Sequence, residues 1–317
     1  MQRLTGKVAI VTGASAGIGR ETARLFANEG AKLVVAARRE SELETLTREI
    51  VSEGGKAEYL AGDVRSEEFA KALVELAINC FGRLDIACNN VGILGEVDPT
   101  FSASETGWTN SMEANLTSAF FGAKYQIPEM LKQGGGSIFF LATFVDRSFA
   151  FLGGAAYVAG NFGLIGLTRA LVAEYGAQGM RVNAFLPDTV DAQVCRVLNK
   201  TANSRTFSTS LHALERFTKP DKVARSMLNL ACVAQATGIP SSELHEIIFS
   251  DESKYSSTLN AMSFDQWVRT WYDEGVEAEF IHSPYYPDAT TLEHLRGYFE
   301  AGLSPAEAAR VCFARKH

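Results

Sequence analysis

Along the first 240 residues, short runs of consecutive apolar residues alternate with longer stretches in which apolar residues recur every three or four positions. The short runs are KVAIVTG (7–13), AKLVVAA (31–37), AEYLAGDV (57–64), LDIACNN (84–90), SIFFLAT (137–143) and MRVNAFLP (180–187). They are too short for core helices and are apolar on both faces, so they read as strands buried on both sides. Between them lie the helix-period segments 18–30, 40–55 and 66–82, a long helix within 105–133 and another in 155–176. Glycines close the first three of these helices. Strand and helix in regular alternation predict an α/β protein: a doubly wound parallel sheet, Rossmann-like, with right-handed crossovers.

Past residue 240 the texture changes. SFDQWVRTWYDEG (263–275), TTLEHLRGYFEAG (290–302) and SPAEAARVCFARK (304–316) each open with Ser or Thr followed three residues later by Gln or Glu. This is the capping-box signature of a helix start. The reading is therefore two segments, 1–240 and 241–317, the second a mainly helical, aromatic-rich C-terminal extension.

Charge sharpens that division. The net charge is −7, and residues 241–317 carry all of it, with 6 Lys+Arg against 13 Asp+Glu. Neither segment is basic, so no nucleic-acid partner is expected. No unbroken apolar run approaches the roughly 20 residues of a membrane span, and the N-terminus has no leader pattern. A cytoplasmic protein with no membrane partner is the expectation. The five cysteines have no CxxC spacing and are read as reduced, buried thiols. The five histidines are scattered without metal-ligand spacing.

The chemistry begins at TGASAGIG (12–19), which follows a strand and opens a helix. Gly13 permits a tight turn, while Gly17 and Gly19 let backbone approach a phosphate and the helix approach the strand. The helix N-terminus supplies N–H donors and partial positive charge. GDV (62–64), NNVG (89–92), Asn115 and Tyr157 follow. In this order and spacing, the chain resembles the short-chain dehydrogenase/reductase family over residues 5–238. The likeness extends between motifs, through GLIGLTRALVAEYGAQGMRVNA (163–184) and LHALERFTKPDKVA (211–224).

The resemblance implies a nicotinamide dinucleotide laid across the strand ends. Gly13, Ser15, Gly17, Ile18 and Gly19 would cradle it, Asp63 and Val64 would flank the adenine, and Asn89 and Gly92 would line its path. Pro187 and Thr189 would meet the nicotinamide, Thr189 standing in for a hydroxyl that Ala192 lacks. Arg38, after the second strand, suits a 2′-phosphate, so NADP is expected, with NAD the alternative; Arg39 reads as a solvated helix entry.

The family's catalytic set implies Tyr157 as proton donor or acceptor, Thr143 as the hydroxyl that positions the substrate oxygen, and Asn115 as anchor of a relay. A Lys normally follows the Tyr by one helical turn; here Asn161 stands in its place. That Lys matters because a free phenol has a pKa of about 10, some three units or ~4 kcal/mol from neutral pH. A cation on the same helix face lowers it. Lys124 is the one nearby basic residue that sequence can name, and nothing in its spacing aims it at the site. Asp146, Asp188 and Ala192 also depart from the family pattern at the nicotinamide end, and Val91 replaces a usual Ala.

Two readings follow. One is an oxidoreductase acting on a small-molecule alcohol or carbonyl, with altered proton transfer. The other is a non-catalytic NADP(H)-binding protein serving as sensor or assembly partner. The family's helix pair, here within 105–133 and 155–176, implies a homodimer and leaves a tetramer open. Its last strand is hard to find in this chain; EIIFS (246–250), after Thr237-Gly238, is the candidate.

Overall fold

The computed structural model describes residues 2–142, 153–187, 219–236 and 248–249, together with Val268 and Leu295. The chain divides into two compact units, Met1–Ser250 and Asp251–His317. In the second unit Val268 and Leu295 are helical, and each falls inside an expected helix. The rest of the expected tail helices lies outside the described residues.

The first unit is built on a parallel sheet of seven strands: β1 (Val8–Thr12), β2 (Lys32–Ala37), β3 (Lys56–Ala61), β4 (Ile86–Asn89), β5 (Gly136–Leu141), β6 (Met180–Leu186) and β7 (Ile248–Phe249). Their order is β3-β2-β1-β4-β5-β6-β7. The six strands expected from apolar runs are all present. The seventh lies within EIIFS and pairs in parallel with β6, Phe185 beside Ile248 and Leu186 beside Phe249. The sheet thus continues beyond the compositional break at residue 240.

Side chains of β1 show why its run is continuously apolar. Ala9 and Val11 join one core with α1 (Gly17–Asn28) and α2 (Glu40–Ser52), while Val8 and Ile10 join the other with α3 (Glu67–Phe81). A period of two with both faces covered leaves no polar position. Helix α3 starts where Ser66 accepts from the Phe69 N–H and stops at Gly82, whose φ of 76° is left-handed.

The long helix expected within 105–133 is interrupted. Helix α4 (Glu105–Met112) passes through a π-helical turn, Glu113–Thr117, into α5 (Ser118–Leu131). Helix α6 (Ala155–Tyr175) packs against β6. By length and composition it is the one described helix able to span a membrane. The search for an unbroken apolar run passed over it because Asn161, Arg169 and Glu174 interrupt the pattern. Helix α7 (Pro220–Ala236) begins with Pro at its first position and packs Val223, Met227, Leu228 and Ala231 into the core it shares with α1.

Of the cysteines, Cys88 is buried and its thiol pKa is pushed up by desolvation. Cys80 is exposed, contrary to the expectation of buried thiols, because it falls on the outer face of α3.

At the N-terminal edge of the sheet, Asp85 is only 7% exposed. Its carboxylate accepts from Arg83 Nε at 2.7 Å and Nη2 at 2.6 Å, from the Val8 N–H at 3.0 Å and from Lys7 Nζ at 3.3 Å. Burial alone would raise its pKa, but these partners hold the carboxyl below its usual range. A lowered folded-state pKa contributes stability above the unfolded value of about 3.9, and that contribution is lost as pH falls through the folded value. Asp85→Asn is expected to cost about 1–3 kcal/mol at pH 7. Thermal melts should show the gap from the parent closing toward pH 3; a gap independent of pH would contradict this account.

Candidate functional site

The sheet reverses its strand order between β1 and β4, so their carboxyl ends open a crevice. The turn from β1 into α1 forms one wall. Gly13 has a φ of 67° and Gly17 of 57°. A Cβ on Gly19 would lie 2.5 Å from the Gly13 carbonyl oxygen, so only glycine lets α1 start this close to the strand. At Gly17, by contrast, a Cβ would meet nothing within 4 Å. No side chain caps α1, whose first turn therefore keeps N–H donors for an outside acceptor. A cradle of bare donors beside open space fits a pyrophosphate. Ile18 is buried, turned into the core rather than toward the crevice.

Asn90 fastens this turn to β4, and sequence reasoning missed it. Its N–H donates to Thr12 Oγ1 at 3.0 Å and its Nδ2 to the Thr12 carbonyl at 3.2 Å. Asn89, expected to line the cofactor, is spent elsewhere. Its amide exchanges two 3.0 Å hydrogen bonds with Gln126 of α5, tying β4 to that helix. The signal for Asn90 was present in the doubled asparagine of NNVG; Gln126 had none.

The arginines after β2 exchange the roles expected of them. Arg39 donates to Ser15 Oγ from Nε at 3.3 Å and Nη2 at 3.0 Å, so it lies over the phosphate turn. Arg38 is also exposed and close enough to help lower the Asp63 pKa. The larger cause there is Arg65, whose guanidinium hydrogen-bonds the Asp63 carboxylate.

Between the two ends runs a pocket of about 430 Å³, partly open to solvent, whose lining includes Thr12, Val64, Asn89, Val91, Asn115 and Leu164. Val91, larger than the family's usual Ala, is accommodated in its wall. Asn115 sits in the π turn and is 2% exposed. Its Oδ1 accepts from the Ile93 N–H at 2.7 Å; its Nδ2 donates to the Ile93 carbonyl at 2.9 Å and to Ser111 Oγ at 3.2 Å. Both amide donors are thus engaged, and the residue holds the loop that carries Gly92. A Cβ on Gly160 would come 3.1 Å from Asn115 Cβ, so α6 crosses the π turn at close range, beside Tyr157 and Asn161.

Tyr157 is half-buried on α6, one turn before Asn161. Asn161 is 6% exposed and donates from Nδ2 to the Tyr157 carbonyl at 2.8 Å. Lys124 does not replace the missing cation: its Nζ pairs with Glu67 at 2.5 Å, on α3. Pro187 is buried just after β6. Thr143, Thr189, Asp146, Asp188 and Ala192 lie outside the described residues.

Known proteins resemble this chain across most of the first unit. A match to the short chain dehydrogenase family covers residues 7–203. A cyclohexanol dehydrogenase from Acinetobacter sp. (strain SE19) is 35% identical over 223 residues, covering 70% of this chain and 86% of that protein. A 2,5-dichloro-2,5-cyclohexadiene-1,4-diol dehydrogenase from Sphingobium indicum is 36% identical over 228 residues, covering 71% and 90%. Among solved structures, a 7α-hydroxysteroid dehydrogenase complexed with NADH and 7-oxo glycochenodeoxycholic acid superposes with a TM-score of 0.70 at 28% identity, covering 78% of this chain and 94% of that one. With its strand order, its glycine turn and these matches in agreement, this chain belongs to the short-chain dehydrogenase family.

Proposed function

We propose that this chain is an NADP-dependent oxidoreductase acting on a small secondary alcohol or its ketone. The observation that carries the reading is the uncapped, glycine-lined start of α1, open to solvent at the switch point of the sheet. The relatives' names specify a cyclohexanol, a cyclohexadiene diol and a 7-oxo bile acid, each with oxygen on a six-membered ring. An alicyclic alcohol or ketone is accordingly the substrate class proposed here. A bound nicotinamide would supply or accept the hydride.

The chain's own residues do the rest. N–H groups of the 13–19 turn hold the pyrophosphate, and Arg39, with Arg38 beside it, takes the 2′-phosphate. Tyr157 passes a proton to or from the substrate oxygen. Asn161 offers it no positive charge, so the phenol keeps its proton at neutral pH. A protonated phenol can serve as the acid in ketone reduction but must first ionise to act as the base in alcohol oxidation. Asn161→Lys is expected to raise alcohol oxidation about 10–100-fold near pH 7 and to move the rise of its pH profile to lower pH. Tyr157→Phe should remove about 10²-fold or more in both directions. Steady-state rates on cyclohexanol and cyclohexanone, from pH 6 to 10, test both; an unchanged profile in Asn161→Lys would refute the role given to the missing cation.

A second reading is a non-catalytic NADP(H) binder. It is favoured by the Asn161 amide, which is turned back onto its own helix. Fluorescence titration showing tight NADPH binding, with no turnover on any alcohol or ketone in the parent or in Asn161→Lys, would select it.

For the cofactor, the double substitution Arg38→Ala/Arg39→Ala is expected to weaken NADPH binding about 10–100-fold while changing NADH binding less than about 3-fold. Equal losses for both would remove the 2′-phosphate role. A homodimer through α5 and α6 accords with the exposed Phe120 and Phe162 on those helices. Phe162→Glu should then halve the mass measured by light scattering, and an unchanged dimer would exclude this face.

A further inference from the structure

Arg65 has no part in the site as read from the sequence, yet it makes more polar contacts around the crevice than any residue assigned there. It follows Asp63 by two positions, just beyond β3. Its backbone N–H donates to Asp63 Oδ1 at 3.0 Å. Its Nε and Nη2 both donate to Oδ2, at 3.0 and 2.6 Å. The remaining arm, Nη1, reaches 3.0 Å to Asn110 Oδ1 on α4. Glu113, at the start of the π turn, adds a carboxylate to its surroundings. The guanidinium thus spans from the loop after β3 to the helix that leads into Asn115.

A carboxylate offers about four acceptor positions. Arg65 fills three of those on Asp63, and the pairing keeps the carboxyl ionised, with its pKa held down. Asp63 and Arg65 each keep 37% of their side-chain surface in solvent, so the pair is accessible from the crevice. Val64, between them, lines the pocket wall and gives a flat ring an apolar surface. What remains on Asp63 is one acceptor position on Oδ1, fixed in direction. Such a position accepts one N–H and repels a carbonyl oxygen.

We propose that Arg65 is a specificity-determining positioning residue: by fixing Asp63 against Asn110, it makes the crevice select a 6-aminopurine over a 6-oxopurine. This rests on the nucleotide-binding reading above and deepens it. Arg65 does not touch the purine; it acts through the carboxylate it holds. Without it, Asp63 rotates freely in solvent, and either purine is met by a mobile, hydrated side chain.

The probes are NADPH and its hypoxanthine analogue, which differ only in amino against oxo at purine C6. Dissociation constants come from nucleotide fluorescence with the full chain. The parent should prefer the amino form by about 10-fold or more, as a hydrogen bond to a charged acceptor requires. Arg65→Ala should bring that ratio below about 3-fold, and Asn110→Ala should lower it partway. Arg65→Lys, which keeps the charge but loses the fork, should fall between parent and alanine. Asp63→Asn, whose amide can also donate, should abolish the preference. If Arg65→Ala weakens both nucleotides equally and leaves the ratio unchanged, Arg65 is only a staple between loop and helix, and the proposal is overturned. A parent that binds both forms equally overturns it as well. If neither form binds at millimolar concentration, the nucleotide reading itself fails and takes this one with it.

Discussion

The turn between β1 and α1 has to bring a helix almost into contact with the strand it has just left. Gly19 faces the carbonyl of Gly13 at a distance no side chain tolerates, and Asn90 ties the end of β1 to β4 with two hydrogen bonds. These contacts fix where the first turn of α1 points, and so where its N–H donors converge. Because β1 is the central strand at which the order reverses, everything else in the site is placed relative to that turn: Asp63 beyond β3, the loop after β4, and α6 after β5. The rest of the sheet could lose a methyl group and adjust; here one added Cβ collides with main chain.

The same logic recurs at the other end of the crevice with different means. The π turn at Glu113–Thr117 aims Asn115 at the backbone of Ile93, and Gly160 lets α6 pass close behind it. Main chain is again held by a side-chain amide, and again a glycine permits the approach. The loop from β4 is therefore pinned at both ends, by Asn90 to β1 and by Asn115 to the long helix. A pocket whose wall is fixed in this way can hold a large flexible ligand in one pose, because the cost of ordering the wall is already met in folding.

Much of this was legible in the sequence, for physical reasons that differ by element. Strands buried on both faces are apolar throughout, so β1 to β6 announced themselves. Helix α3 carries its own start and stop in Ser66 and Gly82. β7 was nearly invisible because a two-residue edge strand imposes no period. The π turn was invisible for a related reason: one extra residue in a helix shifts phase by about 100° without changing composition. The site residues named from the motif occupy the crevice region where the structure describes them, but their partners were not readable. Arg38 and Arg39 are indistinguishable as letters; only the fold shows which one reaches Ser15. Asn89 and Asn90 likewise divide between helix and turn according to the pleat, since neighbours on a strand face opposite ways.

Asn161 tests how far position implies role. A lysine at that place would carry its charge on a long stem past the helix surface; an asparagine is too short to follow that path and too polar to be left alone when buried. Its amide finds the nearest acceptor, the carbonyl one turn earlier, which belongs to Tyr157. The substitution therefore withdraws a charge and also attaches the replacement to the backbone of the residue it would have assisted. Such a bond steadies the main chain under the phenol but leaves its electrostatics to the pocket. If Tyr157 is to release a proton, the field that makes this favourable has to come from the substrate or the dinucleotide. A site of that kind works best in the direction where the phenol begins protonated and is asked only to give.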